Sequence, residues 1–164
     1  MNIQLLICVD DTDNLESRGT GSIAAEMCEI IESRAWGKCG FISRHQLLLH
    51  KDVKYTSHNS SMCFSSSIKP ECLDQLKNEL SVYLAEEAAE GSDPGLCIAE
   101  INKLHEHEVL IYKLVEFGYR AKSEVLSKEH AYSIAKDTGI FLGEYGGTGD
   151  GVIGALAGVG LRFH

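Results

Sequence analysis

Apolar and polar positions alternate in blocks along the first hundred residues. The apolar run Ile3–Val9 is too short for a helix and is followed by acidic residues, so it predicts a buried strand. From Ser22 to Arg34 the apolar side chains recur at helical spacing and predict a helix. Further along, the pattern predicts strands at Phe41–Leu49 and Ser61–Ile68, a helix at Glu71–Glu90 and a strand at Leu96–Ile101.

This order of elements, β-α-β-β-α-β, is typical of the ferredoxin-like plan, in which helices cover one face of an antiparallel sheet. The sequence therefore predicts an α+β fold with that core over about residues 1–102. The remaining third, about residues 103–164, departs from the plan. There the pattern predicts helices at Glu106–Phe117 and Lys128–Thr138 (Ser127 capping the second), a glycine-rich segment at Gly143–Gly151 and a buried helix at Val152–Val159. A chain of 164 residues fits one domain.

Composition is ordinary for a globular protein, with 44% hydrophobic and 24% charged residues. No apolar run approaches the ~18–20 residues that span a bilayer. The N-terminus lacks the positive segment and cleavage site of a signal peptide. We therefore expect a cytoplasmic protein that has no membrane partner.

Six cysteines occur without any Cys-x-x-Cys spacing. Cys8, Cys28, Cys63 and Cys97 have apolar neighbours, which is typical of small buried thiols rather than of zinc ligands.

The net charge of −9, from 24 acidic and 15 basic residues, disfavours RNA binding by this chain alone, because a phosphate backbone is normally met by a basic patch. An acidic protein handles phosphates more naturally through backbone amides and a bound divalent cation.

An acidic cluster follows the first predicted strand. Asp10, Asp11 and Asp13 place three carboxylates within four positions, where they repel one another unless a cation lies among them. Mg²⁺ suits this arrangement, because it takes carboxylate oxygens, keeps several waters and bridges to substrate phosphates. The alternative is a solvated turn in which the side chains cap backbone amides. The pattern alone leaves these two interpretations about equally favoured.

Two glycine-containing segments are candidate phosphate sites. Arg18-Gly19-Thr20-Gly21-Ser22 stands at the head of the first helix, where backbone amides and close approach suit an anion, although Thr20 and Ser22 are also ordinary cap residues. Gly146–Gly151 holds four glycines before another helix and lacks the ending of a Walker A loop. Its glycines Gly147, Gly149 and Gly151 are candidate phosphate contacts; taken alone, the segment favours a flexible turn.

The polar tip Tyr55–Ser61 offers His58 and Asn59 as candidate substrate contacts, although hairpin tips are polar in any case. His105 and His107 are two positions apart and face different sides of a helix, so they predict a solvated helix start rather than a metal site.

Five short motifs follow one another in an order found in one protein family. They are Asp10-Asp11-Thr12-Asp13, Arg18-Gly19, Asn59 in a strand-to-strand tip, Asp93-Pro94-Gly95, and Gly151-Val152-Ile153-Gly154-Ala155-Leu156-Ala157. Together they resemble the kinase-like and ferredoxin-like N-terminal part of the archaeal tRNA-Ile agmatidine synthase (TiaS) family, over nearly the whole chain. That family uses ATP to activate a wobble cytidine of a tRNA and couples agmatine to it.

The resemblance implies that Asp10, Asp11 and Asp13 form the loop that handles Mg²⁺ and ATP. The family's Lys-Thr-Arg-Gly-Asn-Gly stretch corresponds to Tyr55–Ser60, in which Asn59 matches and both basic residues are absent. The family carries RNA-binding OB-fold and zinc-ribbon parts further along its chain, which these 164 residues do not match.

The family's reactive threonine would fall near Ser22, by alignment from Arg18-Gly19, with Thr20 as a neighbouring candidate. Ser22 is still a hydroxyl, so the resemblance leaves a phospho-enzyme step open.

The sequence thus predicts a protein that binds ATP or a similar phosphate ligand with Mg²⁺, and, if it is an enzyme, a phosphotransferase or ATP-dependent ligase. The alternative is a non-catalytic, ligand-sensing or oligomerising ferredoxin-like module. A homo-oligomer or a partner chain that supplies RNA-binding parts also stays open. The predicted metal ligands are Asp10, Asp11 and Asp13; the catalytic candidates are Asp10, Asp11, Thr20 and Ser22; and the candidate nucleotide contacts are Arg18, Gly19, Gly21, Asn59, Gly147, Gly149 and Gly151.

Overall fold

A computed structural model describes residues 1–14, 17–50 and 59–163 and shows an antiparallel sheet of five strands with helices on both faces. The strands are β1 (Ile3–Asp10), β2 (Gly37–Gln46), β3 (Ser60–Ile68), β4 (Gly95–Glu100) and β5 (Phe141–Glu144). The helices are α1 (Thr20–Ser33), α2 (Leu73–Glu87), α3 (Ile101–His105), α4 (Glu108–Ala121), α5 (Lys128–Thr138) and α6 (Gly151–Arg162). The strand order is β2-β3-β1-β4-β5, so the predicted ferredoxin-like α+β core is confirmed and β5 extends it beside β4.

The strand register brings several chain segments to one end of the sheet. Asp10, the last residue of β1, pairs with Gly95 at the start of β4, and Gly95 also pairs with Glu144 at the end of β5. Ser60, the first residue of β3, pairs with Gln46 at this same end. We call this end of the sheet the Asp10 end.

Alternating side chains of β1 build two cores. Leu5, Ile7 and Val9 are fully buried on one face, beneath α1 and α2. Leu6 and Cys8 point to the other face and pack with α4 and α6. The predicted plan placed helices on one face of the sheet. The helices on the other face come from the C-terminal segment, whose small residues allow α6 to lie directly on the sheet.

Some predicted boundaries shift in the structure. β2 occupies Gly37–Gln46 rather than Phe41–Leu49, because it is the outer strand and its many exposed side chains give no clear alternation. β5 has three half-buried residues and one exposed residue, and no pattern that predicts it. A 3₁₀ turn at Pro70–Cys72 precedes α2, and the predicted helix at Glu106 starts as α4 at Glu108.

The tip residues Tyr55 to His58 lie outside the described residues. No helix in the described ranges is both long enough and apolar enough to cross a membrane. The division of the chain near residue 102 stays a prediction.

Candidate functional site

Three glycines bring the first turn of α6 against the Asp10 end of the sheet. A β-carbon on Gly95 would overlap the backbone of Gly151, and one on Gly151 would lie 2.7 Å from the Gly95 nitrogen and 2.8 Å from the Asp10 carbonyl oxygen. A β-carbon on Gly154 would lie 2.6 Å from the carboxyl carbon of Asp10 and overlap its Oδ2. Only residues without side chains permit this approach. The helix N-terminus, which favours negative charge, is therefore set beside the Asp10 carboxylate.

Asp10 is buried, with 8% of its surface exposed. Its Oδ1 accepts the backbone N–H of Asp11 at 2.7 Å. Burial raises the pKa of Asp10 well above its ordinary value, and the negative charges of Asp11 and then Asp13 raise it further. A cation bound at this carboxylate would offset both causes.

The other two acidic residues lie in the loop that follows β1. Asp11 adopts a left-handed backbone conformation, with φ at 53°, which aspartate tolerates better than most residues. Within the described part of the chain, no three His, Cys, Asp or Glu side chains are grouped so that they could hold a metal ion. The roles of Asp10, Asp11 and Asp13 as metal ligands stay predictions. A Mg²⁺ ion here would use fewer carboxylates, with water or phosphate oxygens completing its shell.

A buried hydrogen bond joins the acidic loop to the start of α1. The Thr12 hydroxyl donates to the Thr20 hydroxyl oxygen at 3.0 Å, and these two residues are 1% and 7% exposed. The backbone N–H of Ala89 donates to the Thr12 carbonyl oxygen at 2.9 Å. Through Thr12 the loop is thus tied both to the start of α1 and to the segment that follows α2.

The start of α1 has no side-chain cap. Gly19 is its N-cap residue, and the Ser22 N–H donates to the Gly19 carbonyl oxygen at 3.0 Å. Among the described residues, nothing lies within 4 Å of a β-carbon built on Gly19, and one on Gly21 would meet only the Met62 side chain. Ser22 is exposed, whereas the neighbouring Thr20 is buried. Such a helix start, with accessible glycines, suits an anion.

Arg18 lies on the other side of this segment, against α1 and α2. Its guanidinium forms an ion pair with Glu26 and donates to the Tyr83 hydroxyl at 3.1 Å. A second carboxylate, Glu87, lies 3.4 Å away. Arg18 as a nucleotide contact stays a prediction, and it would first have to leave these partners.

The glycine-rich loop is wrapped around Asp93, which is 4% exposed. The Thr148 N–H donates to Asp93 Oδ1 at 2.7 Å, and the Gly151 N–H donates to the Asp93 carbonyl oxygen at 2.8 Å. Gly147 has φ at 54°, and a β-carbon there would overlap Asp93 Oδ1. With the Gly149 and Asp150 N–H groups, which donate to Gly146 and Thr148, four of the loop's amides thus serve the protein itself. Phosphate contacts from Gly147, Gly149 and Gly151 stay predictions.

A second polar group supports the same loop from the β5 side. The Glu144 carboxylate accepts from the Tyr132 hydroxyl at 2.7 Å and pairs with Lys128 Nζ at 3.3 Å. The same Nζ donates to the Thr148 carbonyl oxygen at 2.8 Å. A β-carbon on Gly149 would lie 2.6 Å from Glu144 Oε2, so the loop packs directly on this carboxylate.

Asn59 lies at the Asp10 end, one residue before β3. Its side-chain amide donates to the Leu48 carbonyl oxygen at 2.7 Å, and its own carbonyl oxygen accepts from the Leu47 N–H at 2.6 Å. Asn59 therefore closes the base of the connection between β2 and β3. A contact between Asn59 and a nucleotide stays a prediction.

Asp93, Glu144 and Lys128 contact the glycine-rich loop, and sequence reasoning gave none of them a role. For Asp93 the only signal is the motif Asp93-Pro94-Gly95, whose composition predicts a turn. Glu144 and Lys128 stand in ordinary surface patterns, and only the tertiary structure brings them to the glycine-rich loop.

Several solved structures align with 96% of this chain. The crystal structure of a complex of TiaS with an isoleucine tRNA and ATP matches with a TM-score of 0.80 at 25% sequence identity. Apo TiaS, a tRNA agmatidine synthetase, matches with a TM-score of 0.78 at 25% identity. A tRNA fluorescent labeling enzyme matches with a TM-score of 0.79 at 26% identity. The chain has a TiaS-like fold.

The match spans 36%, 35% and 36% of those three chains, respectively, or about a third of each. No protein-family model matches the sequence. No curated protein matches it either. The TiaS-like fold therefore rests on the structural comparison, which agrees with the motifs at Asp10–Asp13 and Gly151–Ala157.

Proposed function

We propose that this chain binds ATP together with Mg²⁺ at the Asp10 end of the sheet, as part of a phosphotransferase or ATP-dependent ligase. One observation carries the proposal: the buried Asp10 carboxylate is held against the first turn of α6 by close-packed glycines. Burying a carboxylate is unfavourable unless a positive group offsets its charge. Support also comes from the neighbouring start of α1, which lacks a side-chain cap, and from the likeness to a TiaS structure that holds ATP.

The oxygen donors present suit the proposed metal. Asp10 and Asp11 would hold Mg²⁺, a hard cation that binds carboxylates and water, and water or phosphate oxygens would complete its shell. When bound, the ion supplies positive charge that polarises phosphoryl oxygens. Backbone amides between Gly19 and Ser22 would meet the phosphates.

Among the hydroxyl candidates, exposure favours Ser22 over Thr20 as a phosphoryl acceptor. The Thr20 hydroxyl is buried and already accepts a hydrogen bond from Thr12, whereas Ser22 is exposed in the first turn of α1. A transferring phosphoryl group needs a nucleophile that can approach it in line. After incubation with Mg²⁺ and ATP, we expect phosphopeptide mapping to find a phosphate on Ser22 in wild type and in Thr20→Val. Ser22→Ala should carry no phosphate.

The binding proposal is tested by thermal unfolding with Mg²⁺, with and without millimolar ATP. A ligand at 100 times its dissociation constant adds about 2.7 kcal/mol to the free energy of unfolding, which raises Tm by roughly 5–10 °C in a chain of this size. The shift should require both Mg²⁺ and ATP and should vanish in Asp11→Asn, because asparagine keeps the left-handed backbone and loses the charge.

The matched control is Asp74→Asn. Asp74 is exposed in the first turn of α2. The chain reaches α2 from the end of β3 that lies opposite the Asp10 end of the sheet. This variant should keep the full shift with ATP. An equal shift in Asp11→Asn and wild type would remove the acidic loop from the site.

A non-catalytic ATP-sensing module is the second candidate, and one observation favours it. Arg18 and Lys128, two basic residues near the site in the described ranges, are both engaged by carboxylates. Phosphoryl transfer is normally assisted by cations that contact the transferring group. ATP binding without turnover, measured with Mg²⁺ and with candidate acceptors including agmatine, would favour the module.

A role in RNA modification would require a partner chain. With net charge −9, we expect no tRNA binding by this chain alone and clear binding once a partner supplies a basic surface. Electrophoretic mobility shifts at fixed salt would test both expectations.

A further inference from the structure

Two half-buried cysteines meet between α1 and β2, away from the candidate ATP site. The side chains of Cys28 and Cys39 both pack against the core beneath α1 and α2. Cys39 Sγ also lies 4.0 Å from the Cys28 carbonyl oxygen and 3.6 Å from the Ser66 hydroxyl oxygen. Both residues are partly exposed, and both are free thiols in the structure. A disulfide requires suitably directed side chains, and a Cys39 sulfur that already reaches the Cys28 backbone needs little movement to meet the Cys28 sulfur.

The two thiols differ in acidity in a way that suits sequential attack. The hydrogen bond from Cys28 lowers the pKa of Cys39, while the same hydrogen bond, together with burial, raises the pKa of Cys28. The thiolate is the nucleophile in disulfide exchange, and a partly exposed, low-pKa cysteine beside a second thiol is the typical reactive arrangement.

The remaining sheet cysteines provide an internal contrast. Cys8, Cys63 and Cys97 lie side by side across β1, β3 and β4, and each has 0% of its surface exposed. Burial raises the pKa of Cys8 and of Cys97. A small disulfide in solution cannot approach these sulfurs while the protein stays folded.

We propose that Cys28 and Cys39 form a redox-active dithiol that low-molecular-weight disulfides convert to an intramolecular disulfide. The Cys39 thiolate attacks one sulfur of the small disulfide RSSR, whose S–S bond breaks and releases one thiolate, which takes up a proton. Cys28 then loses its proton and attacks Cys39 Sγ in the mixed disulfide, releasing the second small thiol. Two protein thiols are oxidised, and one RSSR is reduced to two RSH.

The test treats the folded full chain with excess oxidised glutathione at mildly alkaline pH and follows intact mass and peptide maps. Wild type should lose two hydrogen atoms, gain one disulfide between Cys28 and Cys39, and retain no glutathione. Cys28→Ser should accumulate a stable glutathione adduct on Cys39. In Cys39→Ser, an adduct on Cys28 should form at least about tenfold more slowly, because the acidic thiol is gone.

Cys72→Ser is the matched control, since Cys72 is also half-buried and lies outside the pair. It should oxidise like wild type. The proposal is overturned if folded wild type stays reduced, if the maps join any other pair of cysteines, or if Cys28 in Cys39→Ser reacts as fast as Cys39 in Cys28→Ser.

Discussion

The carboxylate of Asp10 and the α-carbon of Gly154 lie in direct contact, so closely that a β-carbon at position 154 would stand 2.6 Å from the Asp10 carboxyl carbon. One residue ends the central strand β1 and the other lies in the first turn of α6. Their contact joins the sheet to the C-terminal helix layer at the Asp10 end, where the ATP site is proposed.

Gly154→Ala should therefore displace the Asp10 carboxylate and disturb both stability and binding. An inserted methyl group in a close-packed site typically costs about 1–3 kcal/mol of unfolding free energy. We expect a Tm lower by several degrees and loss of the Tm shift with Mg²⁺ and ATP, both measured by thermal unfolding.

Gly160→Ala is the control for this variant. Gly160 lies in the same helix. A β-carbon at this position would lie 2.7 Å from the carbonyl carbon of Leu114 in α4, so Gly160 contacts α4 and not Asp10. It should lower Tm comparably and keep the shift with Mg²⁺ and ATP. Equal loss of the shift in both variants would mean that general destabilisation, not the Asp10 contact, abolishes binding.

Asp10→Asn should stabilise the protein at neutral pH in the absence of Mg²⁺. Because the pKa of Asp10 is higher in the folded state than in the unfolded state, the folded state binds more protons between those two values. Wild-type stability therefore falls as pH rises from about 4, the unfolded pKa, through the folded pKa. The Tm difference between Asp10→Asn and wild type should be small near pH 4 and should grow towards pH 7.

The Tm of Asp10→Asn should therefore exceed that of wild type at neutral pH. Adding Mg²⁺ should narrow this gap by stabilising wild type alone. A gap that is the same at every pH would show that the ionisation of Asp10 does not cause it.

Asp93→Ala should loosen the glycine-rich loop. It removes the buried acceptor of the Thr148 N–H, and a hydrogen bond to a charged group contributes about 1.5–3 kcal/mol. Thermal unfolding should show a Tm several degrees lower. Asp93→Asn keeps an oxygen acceptor at that position and should lose less than half as much; an equal loss would mean that the charge, not the hydrogen bond, matters.

Ser61→Ala should leave stability unchanged or raise it by about 1 kcal/mol, because replacing an unsatisfied buried hydroxyl by an apolar group removes a desolvation penalty. The Ser61 hydroxyl is fully buried, has no hydrogen-bond partner among the described residues, and lies beside Cys8 and the close approach of Gly158. Chemical denaturation measures the change, and a clear loss of stability would reveal a bond that the hydroxyl makes in solution.

Local signals along the chain are enough to predict the ferredoxin-like core. Leu5–Val9 is an uninterrupted apolar run, and Leu76, Leu80 and Leu84 keep helical spacing and are fully buried beneath the sheet. The acidic residues that end β1 and the glycines at the head of α1 can likewise be recognised as neighbours, since only a short loop separates them.

The other half of the site depends on tertiary contacts. α6 reaches Asp10 because Gly95, Gly151 and Gly154 have no side chains, and residues so distant in the chain give no local signal of such a contact. The same holds for Glu144 and Lys128, which β5 and α5 bring to the glycine-rich loop. Local periodicity specifies helices and strands; contacts between distant segments depend on packing, which no short stretch of sequence specifies.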